Sequence, residues 1–257
     1  MSSFGKKYSR YYDILYSDKD YNAECDYLQS LFKELSTRRV RKIIDVACGT
    51  GGHSVPLAQR GYKILARDLS ADMLEVARSK VSVSGLGSRV SLEKGDMRNL
   101  KDLGRFDVCL CMFASIGYLS SLEEILKTLE AMRSHLNTGG LLIFDFWNGL
   151  AVLTVKPSRR AKTAYGKGLT ITRAATPLLD PVHNLCRVRY DISVMDGSRR
   201  IDEFSEVHSM RYFYPEEIRL LLRLSSFELV SFHPFLERRR SVGMRDWNVT
   251  AVARAVK

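Results

Sequence analysis

A buried strand running straight into a glycine turn constrains this chain more than any other stretch: Ile43-Ile44-Asp45-Val46-Ala47-Cys48-Gly49-Thr50-Gly51-Gly52. Its isoleucines and valine give the short apolar run of a strand covered on both faces. Glycines at 49, 51 and 52 let the backbone take positive φ and approach a ligand closely. A helix predicted over residues 53–60 then points its first N–H groups at whatever lies over the turn. Such a device holds a nucleotide. In the dinucleotide fingerprint G-x-G-x-x-G, Gly49 and Gly51 fill the first two places, but Ser54 stands at the third, where close helix packing needs glycine. A nicotinamide-dependent oxidoreductase is therefore a lesser alternative, as is a cofactor-binding protein without catalysis.

The next hundred residues repeat the strand-then-helix rhythm. Lys63 to Arg67 reads as a second strand ending in Asp68, and a carboxylate about twenty residues beyond the glycine turn can accept both ribose hydroxyls of an adenosine. Asp68 and Ser70 also precede an amphipathic helix, Ala71 to Lys80, so one of them is expected as its cap. A third strand, Val90 to Glu93, leads to Gly95-Asp96-Met97-Arg98. A fourth, Phe106 to Met112, delivers Phe113-Ala114-Ser115-Ile116-Gly117-Tyr118-Leu119 to its carboxyl end, where ligands sit in open α/β sheets. After a helix from Leu122 to Leu136, the turn Asn137-Thr138-Gly139-Gly140 introduces a fifth strand, Leu141 to Phe144, ending in Asp145. A parallel, doubly wound sheet follows from this alternation.

From Phe146 to Tyr214 the rhythm breaks. Lys167 to Thr176, Asn184 to Met195 and Arg199 to Phe213 alternate or are β-branched, separated by Asp180-Pro181 and the hairpin signal Asp196-Gly197. They predict a three-stranded antiparallel sheet inserted after the fifth strand and covering the ligand-bearing edge. Pro215 then starts a helix to Leu224, followed by strands Glu228 to Phe232 and Asn248 to Ala255. The expected organisation is residues 1–145 for an N-terminal helical segment and cofactor core, 146–214 for the substrate cover, and 215–257 for the last helix and two strands. At 257 residues and 45% hydrophobic the chain can bury a full core. It has no run of eighteen apolar residues and no apolar signal-peptide core in Met-Ser-Ser-Phe-Gly-Lys-Lys, so a soluble, cytoplasmic protein without membrane contact is expected. Cys25, Cys48, Cys109, Cys111 and Cys186 are odd in number and match no zinc spacing; no metal site is expected.

The run Asp-x-x-Cys-Gly-Thr-Gly at Asp45 to Gly51 resembles the first motif of class I S-adenosylmethionine-dependent methyltransferases. The likeness extends through Leu69 to Leu74, Gly95-Asp96-Met97-Arg98, Met112 to Leu119, Glu206-Val207-His208 and the opening Tyr11-Tyr12-Asp13-Ile14-Leu15-Tyr16 with Asp20-Tyr21. Together these strings are similar to the small-molecule subgroup that dimethylates amino groups of nucleotide-linked deoxysugars. The resemblance implies a seven-stranded Rossmann-like sheet of order 3-2-1-4-5-7-6 with the last strand antiparallel. It also implies S-adenosyl-L-methionine as cofactor and S-adenosyl-L-homocysteine as product. Cofactor contacts are implied for Tyr12, Tyr16, Asp45, Ala47, Cys48, Gly49, Thr50, Gly51, Asp68, Leu69, Met73, Gly95, Asp96, Met97, Met112 and Phe113. Asp45 falls near the ammonium end, Asp96 at the adenine amino group and Met97 over the ring.

Methyl transfer from a sulfonium is an in-line displacement, so holding the reactants collinear in a dry cavity is the main task. The expected acceptor is an amine or a hydroxyl of a small molecule, and an amine must still be neutral to attack. Tyr16, Tyr118 and His208 are the polar groups expected near it, each with a packing role as the alternative. Asp145 and Asn148, at the mouth of the fifth strand, are further candidates. The net charge of +11, with basic clusters at Arg38 to Lys42, Lys156 to Lys162 and Glu237 to Arg240, suits an anionic or nucleotide-linked small molecule, or nucleic acid. RNA or protein methylation is the alternative. RNA is not favoured, because Met112-Phe113-Ala114-Ser115 lacks the Asn/Asp-Pro-Pro-aromatic sequence that grips planar base amines, and Cys111 is expected to point into the sheet.

Overall fold

A computed structural model describes residues 5–100 and 103–256; the first four residues, on which the signal-peptide reading leans, and the last lie outside it. Helices α1 (Lys6–Leu15) and α2 (Tyr21–Leu35) precede β1 (Lys42–Val46). The chain then alternates through α3 (Ser54–Gln59), β2 (Lys63–Asp68), α4 (Ala71–Val83), β3 (Val90–Lys94) and β4 (Phe106–Cys111). A 3-10 turn (Ser115–Tyr118), α5 (Leu122–Ser134), β5 (Leu136–Trp147) and α6 (Gly149–Val155) follow. Next come β6 (Arg160–Gly166), β7 (Leu169–Asp180), β8 (Leu185–Asp196) and β9 (Arg199–Arg211), and finally α7 (Pro215–Leu224), β10 (Phe227–Pro234) and β11 (Asn248–Ala255).

Seven strands form one sheet in the order β10-β11-β5-β4-β1-β2-β3, which is the predicted order read from its other edge. β1 pairs in parallel with β2 and β4, and β11 runs antiparallel to β5 and β10. Ile43, Ile44 and Val46 are all buried because helices cover both faces of the sheet. Ser70 and Ser121 cap α4 and α5, accepting from Met73 N at 3.3 Å and Glu124 N at 3.2 Å. Cys109 and Cys111 lie in the same apolar cluster, as expected of alternate residues on one buried face. Among the described residues no helix is long and apolar enough to cross a membrane.

Two expectations are corrected. The fifth strand starts at Leu136 rather than Leu141. Phe106 pairs with Leu136 and Val108 with Leu141, so Asn137 to Gly140 form a bulge inside the strand. Gly139 supplies its positive φ of 80°, and Asn137 Nδ2 donates to Asp107 Oδ1 at 3.0 Å. The inserted sheet has four strands, ordered β6-β7-β8-β9, not three. β6 escaped the pattern because Ala164 is its single buried residue, which leaves no alternation to see. The Asp196-Gly197 hairpin forms where predicted, joining β8 to β9.

α1 lies between α4 and the inserted sheet. Tyr8, Tyr11, Tyr12, Ile14 and Leu15 share an apolar cluster with Met73 of α4 and with Ala164, Ile171, Ile192 and Val194 of the inserted sheet. Lys7 bridges to Asp202 at 2.6 Å and Gly5 N donates to Glu206 Oε1 at 2.9 Å, fastening the helix to β9.

Candidate active site

A cavity of about 600 Å³ opens at the carboxyl ends of β1, β2 and β4, beneath α1 and the inserted sheet. Its floor is built by backbone. Cys48 N donates to Arg67 O at 3.0 Å, and Gly49 N donates to Asp68 Oδ2 at 2.8 Å, so the turn after β1 is clamped to the end of β2. Ser70 N donates to Asp68 Oδ1 at 2.8 Å. Burial raises the Asp68 carboxyl above its usual range, and these N–H donors oppose the shift. A Cβ on Gly49 would meet no atom within 4 Å, so the turn faces open space there, whereas a Cβ on Gly52 would overlap the Tyr21 ring. Ala47 (φ 60°), Phe113 (φ 64°) and Ala114 (φ 54°) hold left-handed backbone on the cavity wall. Three such non-glycine residues at one site mark stored strain of roughly 1 kcal/mol or more apiece.

Below the turn, Asp45 accepts from Ser54 Oγ at 2.5 Å; burial raises its carboxyl, with His53 and Ser54 pulling the other way. His53 Nε2 lies 2.7 Å from Glu24 Oε2, and Lys19 pairs with the same carboxylate. Burial would raise Glu24, but its interactions with His53 and Lys19 outweigh it and the net shift is down. Asp96 binds Arg98, which also reaches Glu124; the guanidinium holds the Asp96 carboxyl below its usual range. α1 latches onto the turn through Asp13, whose Oδ1 accepts from Thr50 Oγ1 and Lys80 Nζ, both at 2.7 Å.

The roof is side chain. Tyr118 Oη lies 2.7 Å from Nδ1 of His208, a buried residue of β9, and Glu206 Oε2 is 3.3 Å from Nε2. Burial pushes the Tyr118 phenol far up, so it stays neutral. Arg173 of β7 donates to Tyr16 Oη at 2.7 Å and Tyr8 Oη at 3.2 Å, and its guanidinium covers the Tyr190 ring 4.6 Å from the centroid. Tyr12, Tyr16 and Phe113 run along one wall, the first two tilted with centroids 4.6 Å apart and the last two edge-to-face at 5.2 Å.

Of the residues expected around a cofactor, all except Gly51 line this cavity, and so do Tyr16, Tyr118, His208 and Asp145. Gly51 shapes the turn instead: its open side faces Ala77 of α4, 3.5 Å from where a Cβ would stand. Asn148 is also placed elsewhere. Fully buried, it caps α6 through Leu150 N at 3.2 Å and donates to Asp246 O at 3.0 Å. Tyr8, Tyr21, His53, Arg98 and Tyr190 line the cavity without having been singled out. Tyr8 and Tyr21 flank the tyrosine-rich opening and were within reach of its pattern; Tyr190 and Arg173 sit in β-strands whose approach only the fold reveals. Some residues of the basic clusters are paired: Arg240 with Glu237 and Asp246, Lys162 with Asp18, Arg238 with Glu34.

The lining chemistry tests which nucleotide fits. Asp45, Asp68, Asp96, Glu124 and Asp145 all face the cavity, and among the described residues Arg98 is its single lysine or arginine. A dinucleotide's pyrophosphate seated on the glycine turn would be repelled by Asp45 and Asp68, whereas a sulfonium and an ammonium are attracted to carboxylates and aromatic faces. S-adenosylmethionine carries both. A methyltransferase-domain family profile matches residues 43–140. The dTDP-3-amino-3,6-dideoxy-α-D-glucopyranose N,N-dimethyltransferase of Streptomyces fradiae is 31% identical over 209 residues, covering 80% of this chain and 78% of that protein. The dTDP-3-amino-3,4,6-trideoxy-α-D-glucopyranose N,N-dimethyltransferase of Streptomyces venezuelae is 28% identical over 208 residues, 80% of this chain and 84% of its own. An S-adenosylmethionine-dependent methyltransferase crystal structure from Clostridium acetobutylicum ATCC 824 superposes with a TM-score of 0.80 at 23% identity, covering 96% of each chain, and so shares the fold. Motif, cavity chemistry and relatives agree, and the chain belongs to the S-adenosylmethionine-dependent methyltransferases, enzymes that use that cofactor to transfer a methyl group.

Proposed function

We propose that this enzyme methylates the amino nitrogen of a small, nucleotide-linked molecule. The observation that carries the reading is the Tyr118–His208 pair, 2.7 Å apart on the cavity wall furnished by the inserted sheet. Where the Tyr118 hydroxyl donates to His208 Nδ1, the phenol is held in one orientation. Its oxygen can in turn accept from an acceptor N–H and orient it. That the Streptomyces fradiae relative is named for an amino-sugar substrate supports the class of acceptor.

Bound S-adenosylmethionine supplies an electrophilic methyl on a sulfonium. Asp68 would hold its ribose, Asp96 and Met97 its adenine, and Asp45 with residues 47–50 its methionine end. Tyr12, Tyr16 and Phe113 line that end with aromatic surface and exclude water, and Leu69, Met73, Cys48, Gly95 and Met112 complete the walls. Positioning of this kind can supply up to about 7–11 kcal/mol of a barrier. We place the enzyme in the cytoplasm, where its five free, buried cysteines stay reduced. Nucleic acid is not favoured as substrate, since Met112-Phe113-Ala114-Ser115 lacks the Asn/Asp-Pro-Pro-aromatic sequence that grips planar base amines.

Isotopically labelled cofactor tests the reading with three acceptors: dTDP-3-amino-3,6-dideoxy-α-D-glucopyranose, its 3-hydroxyl counterpart and a short RNA. Label on the amine, with one and then two methyl groups by mass spectrometry, is expected. Label on the RNA or the hydroxyl sugar alone would sink the proposal.

A further inference from the structure

One carboxylate in the cavity is left unfinished by the protein. Asp145, on β5, is 2% exposed. Its Oδ2 accepts from Ala114 N at 3.0 Å, a bond that the left-handed backbone of Ala114 directs. Oδ1 is buried and has no hydrogen-bond partner, and Asp145 is among the residues that line the cavity. Around it stand Lys19 from the α1–α2 connection, Glu24 and Tyr27 of α2, His53 ahead of α3, and Cys111 of β4. Neither Lys19 nor His53 is hydrogen-bonded to it. Lys19 and His53 are both committed to Glu24. Thr250 of β11 is its partner across the strands.

A buried carboxylate oxygen without a donor is costly to keep, so such groups persist where a ligand completes them. An anionic ligand is excluded there by charge. A hydroxyl could donate one hydrogen bond but would leave the negative charge unbalanced; an ammonium satisfies both demands. We propose that Asp145 binds the acceptor as its ammonium through Oδ1 and then takes one proton from it. In that step an N–H bond breaks, an O–H bond forms on Oδ1, and a neutral amine faces a neutral carboxyl with its lone pair free. The proton leaves to solvent with the product, and a second round finds the carboxylate restored. Burial pushes this carboxyl up to about 6, closer to the range in which a base both accepts and returns a proton. The inference rests on the amine reading above and deepens it: the site selects protonated amines over hydroxyls.

Asp145→Asn keeps an acceptor for Ala114 N and removes the charge. With the amino sugar as acceptor, kcat/KM at pH 7 should fall about a hundredfold and climb back toward wild type as pH passes the amine's own pKa, because free amine then arrives ready-made. Cofactor affinity by calorimetry should stay within about twofold. A wild-type pH profile in the variant would overturn the assignment, and so would a tenfold loss of cofactor affinity, which would give the carboxylate to the cofactor's own ammonium. An activity-free check uses wild-type protein labelled with 13C-aspartate and titrated with methylammonium chloride. The Asp145 Cγ resonance should shift saturably; no shift would overturn the assignment as well. If the wild-type enzyme labels no amine at all, the proposed function fails. If it does and Asp145→Asn behaves as wild type, only this inference fails.

Discussion

The floor and the roof of the cavity are held by different physics. On the floor, Gly49, Ser70 and Ala114 present backbone N–H groups to Asp68 and Asp145, within a fold whose strand order places those strand ends side by side. In the roof, Tyr8, Tyr16, Tyr118, Arg173 and His208 bond to one another through side chains, at separations of up to 165 residues. Backbone donors are set by the fold and change little when a neighbour is replaced. Side-chain donors are set by identity and can be altered one at a time. The contrast teaches that the cofactor end is a property of the architecture and the acceptor end a property of this particular chain.

Asp145 lies where the two regions meet, and it gives the largest expected break between them. Its folded-state pKa is raised from 3.8 to about 6, so protonation favours the fold. The stability this confers is complete below the unfolded value and is lost as pH rises through about 6. Asp145→Asn has no such loss. The variant should match wild type near pH 4 and exceed it by a margin growing to roughly 3 kcal/mol above pH 7, followed by urea unfolding across that range. A margin that shrinks with pH would mean that the carboxylate finds a cation inside the protein.

Next in size is the floor. Asp68→Ala orphans the Gly49 and Ser70 N–H groups as well as any ribose hydroxyl, and should weaken binding of S-adenosylhomocysteine by roughly 1–3 kcal/mol in calorimetry. Acceptor KM should move little. The roof should show the opposite split: Tyr118→Phe removes the hydrogen bond to His208, so kcat/KM for the amine should drop by about tenfold, about 1.4 kcal/mol, with cofactor affinity unchanged. Parallel losses in both measurements for both variants would erase the distinction between the two regions.

The same division decided what could be read in advance. Strand order, the glycine turn and Asp68, Asp96 and Met112 were legible because each sits at a strand end announced by a local apolar run and a turn. Gly51 was misplaced because glycine spacing reports a turn and not which face of it meets the ligand; here Ala77 takes that face. Asn148 was misread because a polar residue just past a strand is as often a cap as a ligand contact. Arg173 gave no local signal, since its meaning depends on Tyr8 and Tyr16 arriving from α1, about 160 residues earlier in the chain. β6 was missed for a related reason. A strand with one buried side chain is held by its pairing with β7, and pairing is not written in its own seven residues.

The smallest effect concerns the other floor carboxylate. Asp96 and Asp68 were equivalent in sequence, but their bonds differ. Oδ1 of Asp96 accepts from Arg98 N at 2.9 Å and Nε at 3.0 Å, and Oδ2 from Nη2 at 2.5 Å and Nε at 3.1 Å. Arg98 is tethered in turn by Glu124. Both oxygens are thus occupied before any adenine amino group arrives, so little acceptor capacity is left to lose. Asp96→Ala should therefore cost less than about 1 kcal/mol of cofactor affinity, well below Asp68→Ala. Arg98→Ala should strengthen the Asp96 contribution, because it frees those oxygens for the base. If Asp96→Ala instead equals Asp68→Ala, then the Arg98 pairing opens when the cofactor binds, and this part of the floor obeys the side-chain logic of the roof.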